Sequence, residues 1–454
     1  MTALAEAVAA WAARLEAVAI PEAVRRTARR QLLDVGGLCI AARSSDYVRA
    51  VVAASDTQGP CTALGHDGGF DAAGAALVNG TAAHGEDFDD TFEGTPVHPG
   101  AVAVSALLAA CEAHTRSGAD LLKGIAVAGE LMCRLALVAP TAQHRAGFHP
   151  TAVLGAFGAA AGISAALGLP AQQITNALGI AGSMASGIIE YLAEGAWTKR
   201  LHPGWAAQSG YRAARLAATG FTGPRTVFEG THGVFSAFGV TEIKPDFAQL
   251  TDGLGADWRM TDIAFKPYAC GTIAQPFIDA AVILAEQGIE PARISEIRCK
   301  VGEGTVHRLW EPRAEKIRPS TPYSAKFSVP YCVAVGFLDR AAGLAQFTQA
   351  RIADPDLLAL AAKVHYEIDP ANAYPASYTA HLTVTLEGGR VIEAEQPHLR
   401  GGRYEPLSDE ALAAKFAANA AFGGWPADRA AALEQFVADV FDRQDLSGLQ
   451  AFRD

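Results

Sequence analysis

The chain has no basic run, no paired cysteine motif and no nucleotide-binding loop, and each absence narrows what it can do. Its 37 Lys and Arg are outnumbered by 48 Asp and Glu, giving a net charge of −11. A nucleic-acid binder needs a basic face, so that class is excluded. The seven cysteines are Cys39, Cys61, Cys111, Cys133, Cys270, Cys299 and Cys332, an odd and scattered set with no CxxC. That argues against a zinc ribbon or a disulfide framework and fits a reducing, cytoplasmic setting. There is no GxGxxG after a strand, no Walker loop, no HExxH and no GxSxG elbow. Nucleotide-dependent redox chemistry, ATP use, zincin and serine-hydrolase readings therefore lack support. The opening MTALAEAVAAWAARLEAV is interrupted by Glu6 and Glu16 and has no basic region before an apolar core. It reads as an amphipathic helix, not a signal peptide. Charge of any sign is scarce, 19% against 50% apolar residues, which describes a well-buried globular protein. With 454 residues the expectation is two to three domains, or one large domain with an appendage.

One long stretch, Pro150 to Ile189, contains no Asp, Glu, Lys or Arg. Its length, about 40 residues, would allow a transmembrane hairpin. The stretch is mostly Ala and Gly, however, and includes Gln172, Gln173, Thr175, Asn176 and Ser183. Lipid-facing helices are richer in Leu, Ile, Val and Phe. The pattern predicts two helices buried in a protein core, broken at Leu169-Pro170.

Residues 1 to about 262 read as consecutive helices. One follows Pro21, one is capped by Asp71, two run through AVAVSALLAACEAH and ADLLKGIAVAGELMCRLALV, and QSGYRAARLAATG ends at Gly220. His202 and Pro203 are read as opening that last helix. The pattern then changes. ISEIRCKVG alternates apolar and polar residues as a half-buried strand does, and HLTVTLEGGRVIEAE predicts a hairpin turning at Gly388-Gly389. Helices are expected near 323–340 and 355–365. After Gly401-Gly402, Ser408 caps a helix with Leu407 as its hydrophobic staple, and RAAALEQFVADVF is the last helix.

The densest polar cluster is HGEDFDDTFEGTPVHPG, where His84, Glu86, Asp87, Asp89, Asp90, Thr91 and His98 lie between two apolar helices. Three readings stand. A carboxylate and an imidazole can converge on a substrate proton. His84, Asp87 and His98 can ligate a metal. Or the aspartates simply cap free backbone N–H groups. His149-Pro150 precedes the uncharged helix, where a histidine faces a helix N-terminus suited to anions. Lys199 and Arg200 beside the buried stretch suggest a clamp for carboxylate or phosphate, or two solvated surface cations. Lys266 sits where the helical block gives way to the mixed one, and Lys326 and Tyr331 lie near a helix. Tyr331 can donate a hydrogen bond, although a buried structural tyrosine is the commoner case.

Together VNGTAAHGEDFDDTFEGTPVHPG, GFHPTAVLG, SGIIEYLAEGAWTKRLHPGWAAQSG, TVFEGTHGVF, AFKPYACG and AKFSVPY, in this order, resemble the MmgE/PrpD family. Its known members include 2-methylcitrate dehydratases, cis-aconitate decarboxylases and iminodisuccinate epimerases. The resemblance implies a mainly α fold. A large all-helical domain built from residues 1–263 and 402–454 would carry a smaller inserted α+β lid domain at 264–401, commonly in a homodimer. It also implies site positions: Asp87, Thr91 and His98 from the acidic loop, His149 as a second histidine, Lys199 and Lys266 as carboxylate-binding cations with Arg200 beside them, and Tyr331 as in decarboxylase members.

The expected activity is that of a cofactor-independent lyase, a dehydratase or decarboxylase of a small di- or tricarboxylate, with no metal, nucleic-acid or membrane partner. In this expectation Lys199, Lys266 and His149 hold carboxylates, His98 and Asp87 move the proton, and Thr91 orients one of them or the substrate. Epimerisation by proton removal and return is the rival. A carboxylate-binding protein without turnover and a metal-dependent hydrolase are the further ones.

Overall fold

The computed structural model describes residues 2–56 and 58–454. The fold is mainly α: 58% of the chain is helical and the sheets are small. Two compact units are present. The first contains the residues up to Gly85, Asp89–Ile263 and Leu412–Asp454; the second contains Glu86–Phe88 and Ala264–Ala411.

Among the described residues, nine helices of eight or more residues build the part of the first unit that precedes Ala264. They are α1 (Leu4–Arg14), α2 (Glu22–Ala42), α3 (Asp46–Ala53), α4 (Ala72–Gly85), α5 (Pro99–Ala113), α6 (Gly118–Val138), α7 (Pro150–Ala166), α8 (Ala171–Met184) and α9 (Thr198–Ala218). The expected caps form where short polar side chains precede apolar periodicity. Asp71 accepts the Gly74 N–H at 2.7 Å at the start of α4. Every residue of the uncharged α7 is buried. In α8 the buried span is Ile174–Ala181 only, and Gln172 and Ser183 at its ends are exposed. The uncharged run therefore supplies one central helix and one flanking helix, not two central ones. Among the described residues no helix is long and apolar enough to cross a membrane. All seven cysteines are buried and unpaired with one another.

Small residues set the spacing of these helices. At the α4–α9 crossing, a Cβ added to Gly80 would lie 2.5 Å from Gly204 Cα, and one added to Gly204 would lie 2.3 Å from the Leu77 carbonyl oxygen. On α7 a Cβ at Gly162 would meet the Gly124 carbonyl oxygen at 2.5 Å. The helices touch backbone to backbone, closer than branched side chains allow. The last part of the chain joins this unit: α12 (Asp409–Phe422) places Phe416 against Gly37 of α2, 2.9 Å from where a Cβ would stand. α13 (Ala427–Asp439) follows.

The second unit holds a four-stranded sheet. Its strands are β1 (Ile294–Val301), β2 (Val364–Ile368), β3 (Ala380–Leu386) and β4 (Val391–Gln396), in the order β2-β1-β3-β4. β1 is parallel to β2 and antiparallel to β3. β1 buries Ile294, Ile297, Cys299 and Val301 as its alternation predicts. The hairpin turns at Gly388 and Gly389, whose φ values of 92° and 85° favour glycine. Two helices pack here, α10 (Gln275–Glu286) and α11 (Val329–Asp339). Residues 364 and 365, expected as the end of a helix, instead open β2: that helix stops at Ala361, and Val364-His-Tyr-Glu-Ile pairs with β1.

Gly80→Ala should drive a methyl into Gly204 and destabilise the protein by about 1–3 kcal/mol, the usual cost of overpacking. Urea unfolding checks this, and an unchanged midpoint would show that the crossing yields.

Candidate functional site

Four histidines reach one buried place in the first unit because helix ends carry them there. His84 is near the C-terminal end of α4. His98 and His149 are the N-caps of α5 and α7, each followed by proline at the first helical position. A residue before proline is pushed out of the α region, so each His-Pro step throws its imidazole clear of the helix it precedes. His202 differs. α9 begins at Thr198, so His202 and Pro203 lie inside the helix and do not open it. Proline there removes one backbone donor next to the glycine that meets Gly80.

The rings are close. His84 and His98 centroids are 4.9 Å apart, His84 and His149 5.6 Å, and His149 and His202 5.2 Å. All four residues are at most 7% exposed. His84 Nδ1 is 2.8 Å from Asp89 Oδ2, and His98 Nδ1 is 2.7 Å from the Asp90 carbonyl oxygen. His149 Nδ1 and His202 Nδ1 are 3.1 Å apart, so one carries the hydrogen and the other accepts it. Tyr191 packs edge-on against both of these rings.

The surroundings decide the charge of these rings. Burial, then the neighbouring His84, His202, Lys199 and His98, hold His149 well below the usual imidazole range. Burial, His84 and Lys199 push His202 down to about 4. Both imidazoles are neutral at pH 7. Beside them Asp90 accepts from Gln31 Nε2 at 2.6 Å and from the Gly100 N–H at 2.9 Å. Burial nevertheless raises its carboxyl to about 7, with the negative Asp89 also contributing.

The second unit carries a different constellation. Its tripeptide Glu86–Phe88 is held by two buried lysines. Lys266 Nζ donates to the Asp87 carbonyl at 2.9 Å and approaches Asp87 Oδ1 at 3.1 Å. Lys326 Nζ donates to the Glu86 carbonyl at 2.6 Å and to Glu86 Oε2 at 2.7 Å. The Tyr323 hydroxyl lies 3.3 Å from Asp87 Oδ2. Asp87 has φ = 56°, a left-handed conformation that costs an aspartate about 1 kcal/mol and that these bonds maintain.

Of the positions expected from sequence, His98 and His149 come together in the first unit, where the half-exposed Lys199 acts on His149 through its charge, while Asp87 and Lys266 pair in the second. Thr91 is buried, with its hydroxyl 3.4 Å from the Val97 carbonyl, bracing the loop before His98. Arg200 lies 4.3 Å over the Tyr47 ring. Tyr331 donates to the Gln346 carbonyl at 2.7 Å, and burial pushes its phenol up; the tyrosine at Asp87 is Tyr323. His202 was absent from the expected set. The recurrence of His-Pro at 98, 149 and 202 was the signal for it. For a metal, the assembled donors are His84, Asp89 and His98, all within 4.8 Å of one another, a set suited to zinc. Asp87 is not among them; its carboxylate pairs with Lys266 in the second unit.

These features define a mainly helical protein with a buried multi-imidazole centre suited to moving protons. The MmgE/PrpD N-terminal domain matches residues 6–245 and the MmgE/PrpD C-terminal domain matches residues 268–439. The cis-aconitate decarboxylase of Homo sapiens is 31% identical over 396 residues, covering 83% of this chain and 78% of the relative. The cis-aconitate decarboxylase of Aspergillus terreus is 28% identical over 433 residues, 89% of this chain and 87% of the relative. The chain belongs to the MmgE/PrpD family and is an enzyme of that type.

Lys266→Met leaves the Asp87 carboxylate buried without its cation and should cost about 3–5 kcal/mol in urea unfolding. Asp90 and His202 also set opposing pH dependences. His202 is lowered in the folded state, so its share of stability is lost as pH falls from the unfolded value of 6.5 to about 4. Asp90 is raised, so its share is present below 3.8 and lost as pH rises through about 7. Asp90→Asn should therefore stabilise the protein at pH 8, by about 2 kcal/mol, and the gain should vanish toward pH 4. Unfolding midpoints at the two pH values check the sign.

Proposed function

We propose that the chain is a cofactor-independent lyase that decarboxylates a small di- or tricarboxylate, cis-aconitate being the first candidate. The observation that carries this is the set of buried imidazoles, two of them held neutral with Lys199 nearby. A neutral imidazole beside a fixed ammonium is a receptive place for an anion. Each carboxylate that enters raises the proton affinity of the rings around it. The names of the relatives support decarboxylation over dehydration.

In the proposed step the bond between carbon and the departing carboxylate breaks. Carbon dioxide leaves, and the electron pair stays on carbon, delocalised into a neighbouring carboxylate. His98, protonated, delivers its proton to that carbon, and water restores it, while the neutral His149 faces a carboxylate. Charge thus moves onto the substrate skeleton in the transition state. Lys199 stabilises that charge more than it stabilises the bound ground state, and this difference is what accelerates a reaction. Asp87 and Lys266 enter the proposal as the pair that fixes the 86–88 tripeptide in the second unit.

The test is proton NMR in D₂O of the chelator-treated protein with cis-aconitate, citrate, 2-methylcitrate, and malate- and aspartate-like diacids. Formation of CO₂ with deuterium in the product is expected. Water loss without CO₂ would make it a dehydratase, and deuterium in an unchanged skeleton an epimerase. Tight binding without turnover would remove the enzymatic reading, and activity lost on chelation would point to a metal at His84, Asp89 and His98. Lys199→Ala should lower kcat by about 10²–10³, the scale of losing one preorganised contact to developing charge. Wild-type turnover in that variant would refute its role.

A further inference from the structure

The row of side chains that α2 turns toward the core contains one polar member. Val24, Ala28, Val35 and Leu38 recur at helical spacing and are at most 2% exposed, and Gln31 stands in the same row at 0%. Its amide is half satisfied. Nε2 donates to Asp90 Oδ2 at 2.6 Å, while the equally buried Oε1 has no partner among the described residues. An unsatisfied buried acceptor costs stability. A leucine or methionine fills such a row without that cost, so packing alone does not account for a glutamine here.

What Gln31 holds is Asp90. The Asp90 carboxylate accepts the Gly100 N–H at 2.9 Å and 3.1 Å, satisfying a backbone donor in the first turn of α5. It is seated so closely on that turn that a Cβ on Gly100 would lie 2.6 Å from Oδ2. Such a cap needs only one acceptor oxygen. The bond from Gln31 is additional, comes from a different helix, and fixes how the carboxylate is turned. The main-chain carbonyl of the same Asp90 receives the Nδ1–H of His98 at 2.7 Å. A carbonyl only accepts, so the hydrogen sits on Nδ1, and His98 meets a ligand through Nε2. The backbone of His98 is anchored separately, its N–H on Thr151 Oγ1 at 3.1 Å and its neighbour Val97 bridged to Phe92. The aim of the ring is therefore what depends on Asp90, and through it on Gln31.

We propose that Gln31 is a positioning residue for His98: by clamping Asp90 against the first turn of α5, it fixes the tautomer and direction of the imidazole that meets substrate. This rests on the proposed function, in which His98 is the ring that reaches the substrate carbon. Gln31 touches neither substrate nor imidazole, and it carries no charge and moves no proton. Its effect is geometric: a ring held in one orientation does not have to be ordered again in each turnover, and a misplacement of about 1 Å is enough to slow a reaction a hundredfold.

The test uses the full-length protein and Gln31→Met, which keeps the side-chain volume and removes the donor. With the substrate found active in the NMR panel, kcat should fall about 10–100-fold while KM stays within about threefold, the mark of an interaction that matters in the transition state. Histidine ¹⁵N NMR, which needs no substrate, should show a slowly exchanging Nδ1–H on His98 in the wild type, assigned by its absence from His98→Gln. In Gln31→Met that signal should exchange at least about tenfold faster, as a loosened bond requires. Val35→Ala loosens the same row of α2 without touching Asp90, and it should keep wild-type kcat and the wild-type His98 signal. An active wild type with a folded Gln31→Met variant of unchanged kcat and unchanged His98 signal would overturn the inference and leave the proposed function standing. A Val35→Ala variant that lost as much kcat as Gln31→Met would also overturn it, since any loosening of α2 would then suffice. A wild type inactive on every acid of the panel would overturn the proposed function, and the exchange of the His98 signal would still decide whether Gln31 fixes the ring.

Discussion

The contact on which the first unit depends is the crossing of α4 and α9 at Gly80 and Gly204. Two helix backbones meet there without intervening side chains, and His84 and His202 lie close by in sequence on those helices. Four residues beyond Gly80, about one turn of helix, His84 is delivered to the cluster. On α9, His202 lies two residues before Gly204. The other two imidazoles come from the N-caps of α5 and α7, which pack among the same helices. A chain rich in Ala and Gly allows helices to pack this tightly, and the tight packing lets four histidines share a small, dry volume. Larger residues at the crossing would separate the rings before they altered any of them chemically.

Dryness then decides the chemistry. In an acidic protein, histidines would ordinarily gain protons readily. Here burial and a nearby ammonium keep His149 and His202 neutral, while a carboxylate stands against His84 and a backbone carbonyl against His98. Four side chains of one type are thereby given different surroundings by their neighbours, and differing surroundings are how a fold can obtain an acid and a base from similar groups. The second unit solves a different problem. Asp87 is held in a left-handed conformation by Lys266, and Glu86 by Lys326, so a three-residue segment is fixed by buried charge and not by regular structure.

The sequence made much of this legible, and the gaps have physical causes. The uncharged run from Pro150, the alternation in β1 and the glycine pair of the hairpin are periodic or conformational signals, and the structure reproduces them. β2 was missed because its five residues follow closely on a helix and are half-exposed, so the Val364, Tyr366, Ile368 alternation is too short to stand out; pairing with β1 makes it a strand. The start of α9 was misplaced because proline usually marks a first turn, whereas Pro203 lies inside the helix. In the site, His98, His149 and Lys199 were visible as residues flanking apolar helices. His202 was passed over in favour of its basic neighbours. The pairing of Asp89 with His84, and of Asp87 with Lys266, could not be read from the string of aspartates at 87–90: adjacent carboxylates look alike until the backbone turns them to different partners.

The most direct measurement is a crystal structure of the protein with tricarballylate, a saturated tricarboxylate that cannot undergo the reaction. The account predicts its carboxylates beside Lys199 and the imidazoles of His98 and His149. A tricarboxylate bound elsewhere, with the imidazole cluster closed to it, would contradict the claim that this buried centre is where the chemistry occurs.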